Sequence, residues 1–307
     1  LFFPYRTAHR RTVALDFARR TVAPSDRACV LTTGASLLPP ELTRDHRGST
    51  MVIKEGNSLQ IIGVLDLQGG RAVHARAGAR DRYSAVQNAA GWPIDPGNAR
   101  TLAEIYTDVL GVSDIYAADL DAILERRPQD DVTKDLASLS APLWLDAGVR
   151  SVHDARRAIE LGASRVIVGL ETLPSFEVLS NICTALGKEP VVFSLDLRDG
   201  EPMVTNGVEL PSALSPESIA KTAASSGVGT LIVIDLARVG TGRGLDIDLL
   251  KRIRAAAPDL RLIAGGGVRE WDDLVRVAKS GCNGALLATA LHNGRIGAAE
   301  IAEAQKL

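Results

Sequence analysis

Residues 64–70 read VLDLQGG, and residues 194–200 read SLDLRDG. Each copy of this Leu-Asp-Leu-x-x-Gly pattern follows a short apolar run and ends at a glycine. Each therefore reads as a buried strand that runs out into a turn. An aspartate at the end of a buried strand is costly to desolvate unless it bonds or reacts. Asp66 and Asp196 are thus the first candidate functional residues.

Outward from this pair the pattern is regular. Apolar runs IIGVLDL, DIYAADL, APLWLDAG, RVIVGL, PVVFSLDL, TLIVIDL, LRLIAGGG and GALLATAL alternate with segments of helical period such as VHDARRAIELGA and IDLLKRIRAAAP. Continuously apolar strands are covered on both faces, which implies a parallel sheet with crossover helices. Eight such units from residue 51 to residue 307 match the size of a closed (β/α)8 TIM barrel, about 250 residues. The repeat extends further: AGVRSVHDARRAIELGASRVIVG from Ala147 aligns with GGVREWDDLVRVAKSGCNGALLA from Gly266, and AADLDA around Asp119 aligns with VIDLAR around Asp235. The expectation is an α/β barrel of two duplicated half-barrels, residues 61–170 and 190–291. Asp66 and Asp196 then end strands one and five and face each other across the C-terminal mouth, where such barrels do their chemistry.

Composition fits this reading. The chain has 307 residues, is 46% hydrophobic and 23% charged, and carries a formal net charge of −2. That is a soluble globular profile without the basic bias of a nucleic-acid or membrane-surface binder. No run approaches the roughly 18 apolar residues of a membrane helix. Cys29, Cys183 and Cys282 are too few and too scattered for a disulfide framework, so a reducing cytoplasm is expected. No cluster has metal-ligand spacing, so neither a metal nor a cofactor is expected. The oligomeric state is left open. Residues 1–50 differ from the rest: they carry eight arginines and no lysine, show no sustained period, and precede the first methionine, Met51. They are expected to be a non-native or unstructured extension to the barrel of residues 51–307.

The firmest chemical signal is AGGGVRE, residues 264–270. Gly265, Gly266 and Gly267 lie between a strand and a helix start, where backbone N–H groups approach a phosphate with the helix dipole behind them. The small residues Ala288, Thr289 and Ala290 after the next strand leave room for the same anion.

A twofold repeated barrel with aspartates ending strands one and five, GGGVR after strand seven and a small-residue turn after strand eight resembles the histidine-biosynthesis (β/α)8-barrel family. That family includes a phosphoribosylformimino-aminoimidazole carboxamide ribotide isomerase and a glycerol-phosphate synthase cyclase. The resemblance covers about residues 61–300. It implies aldose–ketose (Amadori-type) isomerase chemistry on a phosphorylated metabolite, with Asp66 as base and Asp196 or Asp235 as acid. Asp119, Thr241, His74 and Arg76 are further candidate substrate-binding residues: Asp119 ends a strand, and an arginine at this face suits capture of a carboxylate or phosphate.

Several positions depart from the family. Its isomerases hold a second phosphate with a glycine turn and a Gly-Ser after strands three and four; here DAGVR has Asp146, and VGLET has Leu170 and Glu171. Charge and bulk there disfavour a phosphate dianion. Where the isomerases place Asp-Gly-Thr after strand six, this chain has Val239 with Gly240 and Thr241. Valine cannot move a proton. His74 stands where the isomerases usually have arginine, in a loop that also carries Arg71, Arg76, Arg80, Arg82 and Tyr83. Three readings follow: an isomerase of the family's kind, a diverged paralogue acting on a singly phosphorylated precursor such as one of pterin- or furan-type one-carbon cofactor synthesis, or a non-catalytic barrel that binds a phosphorylated metabolite.

Overall fold

The computed structural model describes residues 58–76, 83–204 and 215–307. The proposed extension, residues 1–50, lies outside the described residues, as do Arg80 and Arg82.

Eight parallel strands close into a barrel. They are β1 (Gln60–Gln68), β2 (Asp114–Asp119), β3 (Leu143–Asp146), β4 (Arg165–Gly169), β5 (Val191–Arg198), β6 (Thr230–Asp235), β7 (Arg261–Gly265) and β8 (Gly284–Leu287). Each pairs with the next, and β8 returns to β1 with Gln60 opposite Gly284 and Gly63 opposite Leu287. Crossover helices cover the outside, among them α1 (Ala99–Glu104), α2 (Leu120–Glu125), α3 (Asp130–Ala137), α4 (Val152–Glu160), α5 (Phe176–Leu186), α6 (Pro216–Ser225), α7 (Ile247–Ala256) and α8 (Trp271–Lys279). After β8 come the short α9 (Thr289–His292) and α10 (Ala298–Ala304). Several starts are written in the sequence: Ser151, Ser175, Ser215 and Asp246 each accept a hydrogen bond from the backbone N–H three residues on.

Because side chains alternate along a strand, two apolar layers form. Ile62, Tyr116, Trp144, Ile167, Val192, Ile232, Ile263 and Leu286 fill the inside of the barrel. Leu65, Leu67, Ala117, Leu195, Leu197 and Leu231 pack outward against the helices. At the N-terminal end Asp114 accepts from Trp144 Nε1 at 3.0 Å and Gln60 Nε2 at 2.6 Å.

The two Leu-Asp-Leu-x-x-Gly segments build the same local device. β1 overruns the barrel, turns at Gly69 and Gly70 (φ +57° and +77°) and returns as Arg71–His74, with Asp66 opposite Val73. β5 overruns likewise, turns at Asp199 and Gly200 (φ +51° and +84°) and returns at Glu201–Pro202. Two successive residues with positive φ suit the right-handed twist of a tight hairpin. The glycine ending each pattern is therefore the hairpin turn.

Register then decides where each strand-end carboxylate points. Asp66, Ala118 and Asp146 are neighbours across β1, β2 and β3, and Asp196, Ile234 and Gly265 are neighbours across β5, β6 and β7. These rows face the barrel interior. Asp119 sits opposite Leu67 and Asp235 opposite Leu197, one residue further on and hence on the outward face.

Candidate active site

A cavity of about 360 Å³ opens at the C-terminal mouth. Asp66, Asp146 and Asp196 line it together with Tyr116, Glu171 and Val239. Across from them it is lined by Gly266, Gly267, Ala288, Thr289, Ala290, Thr241, Arg269 and Arg295. The two Leu-Asp-Leu aspartates thus share one cavity with the glycine turn.

The carboxylate side is closely bonded. Asp146 Oδ2 accepts from Tyr116 Oη at 3.0 Å and its Oδ1 from Gly148 N at 3.2 Å. Asp196 Oδ1 accepts from Ser194 Oγ at 2.8 Å and its Oδ2 from Glu171 N at 3.3 Å. Burial, and after it the charge of Asp146, pushes the Asp196 carboxyl up to about 7 against those two hydrogen bonds. Burial and then the charges of Asp146 and Asp196 push the Tyr116 phenol well above its ordinary value. An acid group titrating near neutrality inside a cavity is suited to proton transfer.

On the side of the glycine turn, Gly266 and Gly267 adopt φ of +78° and +135°. A Cβ on Gly266 would stand 2.7 Å from Asp235 O, and one on Gly267 2.7 Å from Gly244 O. Only glycine lets this backbone pass so close to strand six and its loop. Gly265 behaves differently from the expectation: it ends β7 with its Cα packed toward Ile234 and Leu286, leaving Gly266 and Gly267 to line the cavity. Arg269 is held by Asp273 through Nε at 2.8 Å and Nη2 at 3.0 Å.

Several expectations are corrected by register. Asp235 accepts from Asp199 N, Gly200 N and Ala237 N at 3.0–3.1 Å and from Arg238 Nε at 3.2 Å. Its carboxylate faces outward and pins the β5 hairpin turn, away from the cavity lining. Asp119 does the corresponding work indirectly. It caps α2 through Ala122 N at 3.0 Å and holds Gln129, whose Oε1 accepts from Gly70 N at 2.6 Å. Leu170, expected to crowd the cavity, is 1% exposed and packs in the outer apolar layer, so only Glu171 of that pair lines the site. His74 is one contact removed from the cavity: its Nε2 lies 3.0 Å from Thr289 Oγ1. Arg76 is exposed and does not line it, whereas the intervening Ala75 does. Thr241 lines the cavity while its Oγ1 donates to Arg238 O at 2.9 Å.

Tyr116, Arg269 and Arg295 are lining residues that the sequence reading missed. Arg269 stood in plain view inside GGGVRE, whereas Tyr116 was hidden in an apolar run. Among the described residues no helix is long and apolar enough to cross a membrane.

The family model described as "Histidine biosynthesis protein" matches residues 60–297. The chain is 33% identical over 239 residues to the 1-(5-phosphoribosyl)-5-((5-phosphoribosylamino)methylideneamino)imidazole-4-carboxamide isomerase of Thermus thermophilus, covering 78% of this chain and 96% of the relative. It is 31% identical over 238 residues to the isomerase of the same name from Deinococcus radiodurans, covering 77% and 95%. To that of Rubrobacter xylanophilus it is 31% identical over 237 residues, covering 75% and 90%.

Proposed function

The chain belongs to the histidine biosynthesis protein family, and from that premise we propose that this isomerase-like barrel acts on a metabolite carrying one phosphate, by aldose–ketose chemistry. The observation that carries this reading is that Asp66 and Asp196 line one cavity with the Gly266–Gly267 turn. The turn anchors the phosphate through backbone N–H groups. Asp196, titrating at about 7, is partly protonated at neutral pH and gives its proton to the ring oxygen of an aminoaldose as the ring opens. Asp66 then takes the proton from the carbon beside the resulting iminium. The enaminol so formed takes a proton from Asp66 at the former aldehyde carbon, gives its hydroxyl proton to Asp196 and becomes the ketose, which returns both carboxyl groups to their starting states. These steps move protons only, and two carboxyl groups supply them.

Asp146 and Glu171, which also line the cavity, favour a far end of the substrate that is not a second phosphate, because like charge at close range repels a dianion. This separates the reading from a faithful copy of the relatives' reaction and favours a paralogue's substrate, such as a singly phosphorylated precursor in one-carbon cofactor synthesis.

The test is calorimetric titration of the full chain with inorganic phosphate and with singly and doubly phosphorylated sugars. Binding of the singly phosphorylated compounds, lost in Gly266→Asp, is expected. Equal binding by wild type and Gly266→Asp overturns the anchor. Binding that survives Asp66→Asn, with no turnover of any phosphosugar in wild type, replaces catalysis by binding alone.

A further inference from the structure

The hairpin after β1 reaches the anion side of the cavity through one contact. His74, last residue of the returning strand Arg71–His74, places Nε2 3.0 Å from Oγ1 of Thr289, first residue of α9. Thr289 lines the cavity; His74 does not. We propose that His74 is a positioning residue for the anion: by donating Nε2–H to Thr289 Oγ1 it leaves the threonine hydroxyl proton to point at the ligand's phosphate. The inference rests on the anion pocket proposed above and adds how one of its donors is oriented.

The argument is one of hydrogen-bond direction. A threonine hydroxyl has a single proton. If Thr289 donates that proton to His74, only lone pairs face the cavity, and they repel a phosphate. If His74 donates instead, the proton is free for the ligand. A phosphate dianion can only accept, so an anion in the cavity selects the second arrangement and with it the Nε2-protonated tautomer. The surroundings hold His74 in place for this. Its ring meets that of His292 edge-to-face with centroids 5.1 Å apart. His292 is itself fixed by Tyr106, whose Oη lies 2.6 Å from Nε2, and the Tyr106 ring packs on Gly63, where there is no room for a Cβ. Burial, then the neighbouring Arg76 charge, lowers the His74 pKa; burial and then His74 lower that of His292 to about 4. Both rings are therefore neutral near pH 7, where each imidazole has one N–H to place.

The experiment titrates inorganic phosphate into the full chain and into His74→Ala, His74→Gln, Thr289→Val, the double variant, and Gly266→Asp as control. One hydrogen bond to an ion corresponds to a loss of roughly ten- to hundredfold in affinity, and His74→Ala and Thr289→Val are each expected to show it. Gln carries a donor nitrogen close to the position of Nε2, so His74→Gln is expected to restore most of the binding. In the Thr289→Val background His74→Ala is expected to add nothing. In ¹⁵N spectra the His74 Nε2–H signal should grow to saturation with added phosphate in wild type and stay unchanged in Thr289→Val. Should His74→Ala fold poorly, the glutamine variant and the tautomer titration still decide. Unchanged affinity in His74→Ala, losses that add in the double variant, or a tautomer indifferent to phosphate each overturn the inference while leaving the pocket standing, provided Gly266→Asp still abolishes binding. A wild type that binds no phosphate overturns the pocket and this inference together.

Discussion

Asp196 is buried under the loop that follows β4 and faces the negative charge of Asp146, two strands away on the same inward side of the barrel. Burial first and Asp146 second push its carboxyl up to about 7. Asp146→Asn removes the second cause, so the Asp196 titration is expected to move down from 7 toward the ordinary carboxylate range. Carboxyl ¹³C shifts followed against pH would show it, and an unmoved titration would mean that burial alone sets the value.

The same shift makes stability depend on pH. The folded Asp196 keeps its proton up to about 7, whereas the unfolded chain releases it near the ordinary carboxylate value of 3.8. Between those values the native state binds more protons than the unfolded state, so stability falls as pH rises and levels off above 7. Asp196→Asn cannot ionise and escapes this loss. Urea unfolding is expected to show the variant more stable than wild type at pH 8, by up to about 4 kcal/mol, with the difference vanishing below pH 4. A pH-independent difference would contradict the shifted titration.

Gly266→Ala tests the turn without adding charge. The new methyl would meet Asp235 O at 2.7 Å and Asp235 N at 3.0 Å, both backbone atoms of β6, at a φ of +78°. Strand six cannot yield without breaking its pairing with β5 and β7, so a loss of about 1–3 kcal/mol is expected, together with weaker phosphate binding. Gly69→Ala, whose Cβ would meet nothing within 4 Å although its φ is +57°, isolates the conformational part. Equal costs at the two positions would show that φ alone, and not the contact with Asp235, decides.

How much of this was legible follows from residue pattern. The strands were readable because VVFSLDL and TLIVIDL are unbroken apolar runs, and the hairpins because Leu-Asp-Leu-x-x-Gly ends each run in turn residues. Asp66 and Asp196 were placed correctly in the cavity. The direction of Asp119 and Asp235 was not readable, for the reason that made the strands obvious. A strand covered on both faces shows no period of two, so AADL and VIDL do not tell which residue faces inward. Leu170 was misplaced for the same reason, and Tyr116 was overlooked because an aromatic inside a run such as DIYAADL looks like core. His74 was assigned to the ligand itself, since sequence cannot distinguish a direct contact from one made through Thr289.

Asp235 is expected to act on the fold and not on the reaction. Its oxygens accept three backbone N–H groups and Arg238 Nε, and Asp235→Asn would turn an amide donor toward that set. The loss expected in urea unfolding is about 1–3 kcal/mol, with the Asp196 titration staying near 7. Unchanged stability would return Asp235 to the list of candidate acids.

The last prediction concerns the relatives' own reaction. This chain is expected to turn over the substrate of the Thermus thermophilus isomerase poorly, although it is 33% identical to that enzyme. Val239 lines the cavity where the family's isomerases present an acid, and a positioned proton donor contributes about 10²–10⁴-fold. A Cβ on the adjacent Gly240 would stand 2.7 Å from Ala75 O, so the backbone beside Val239 packs closely on the segment that follows Arg71–His74. Asp146 and Glu171 line the same cavity and are expected to oppose a second phosphate. The two deficits act on different steps, turnover and binding, and each has its own remedy. Val239→Asp is expected to raise kcat, while Asp146→Gly with Glu171→Ser is expected to lower KM for the doubly phosphorylated substrate. Both sets, assayed beside the Thermus thermophilus enzyme, would separate the steps. Wild-type turnover within tenfold of that enzyme would mean that Val239, Asp146 and Glu171 do not divert this barrel from its relatives' reaction.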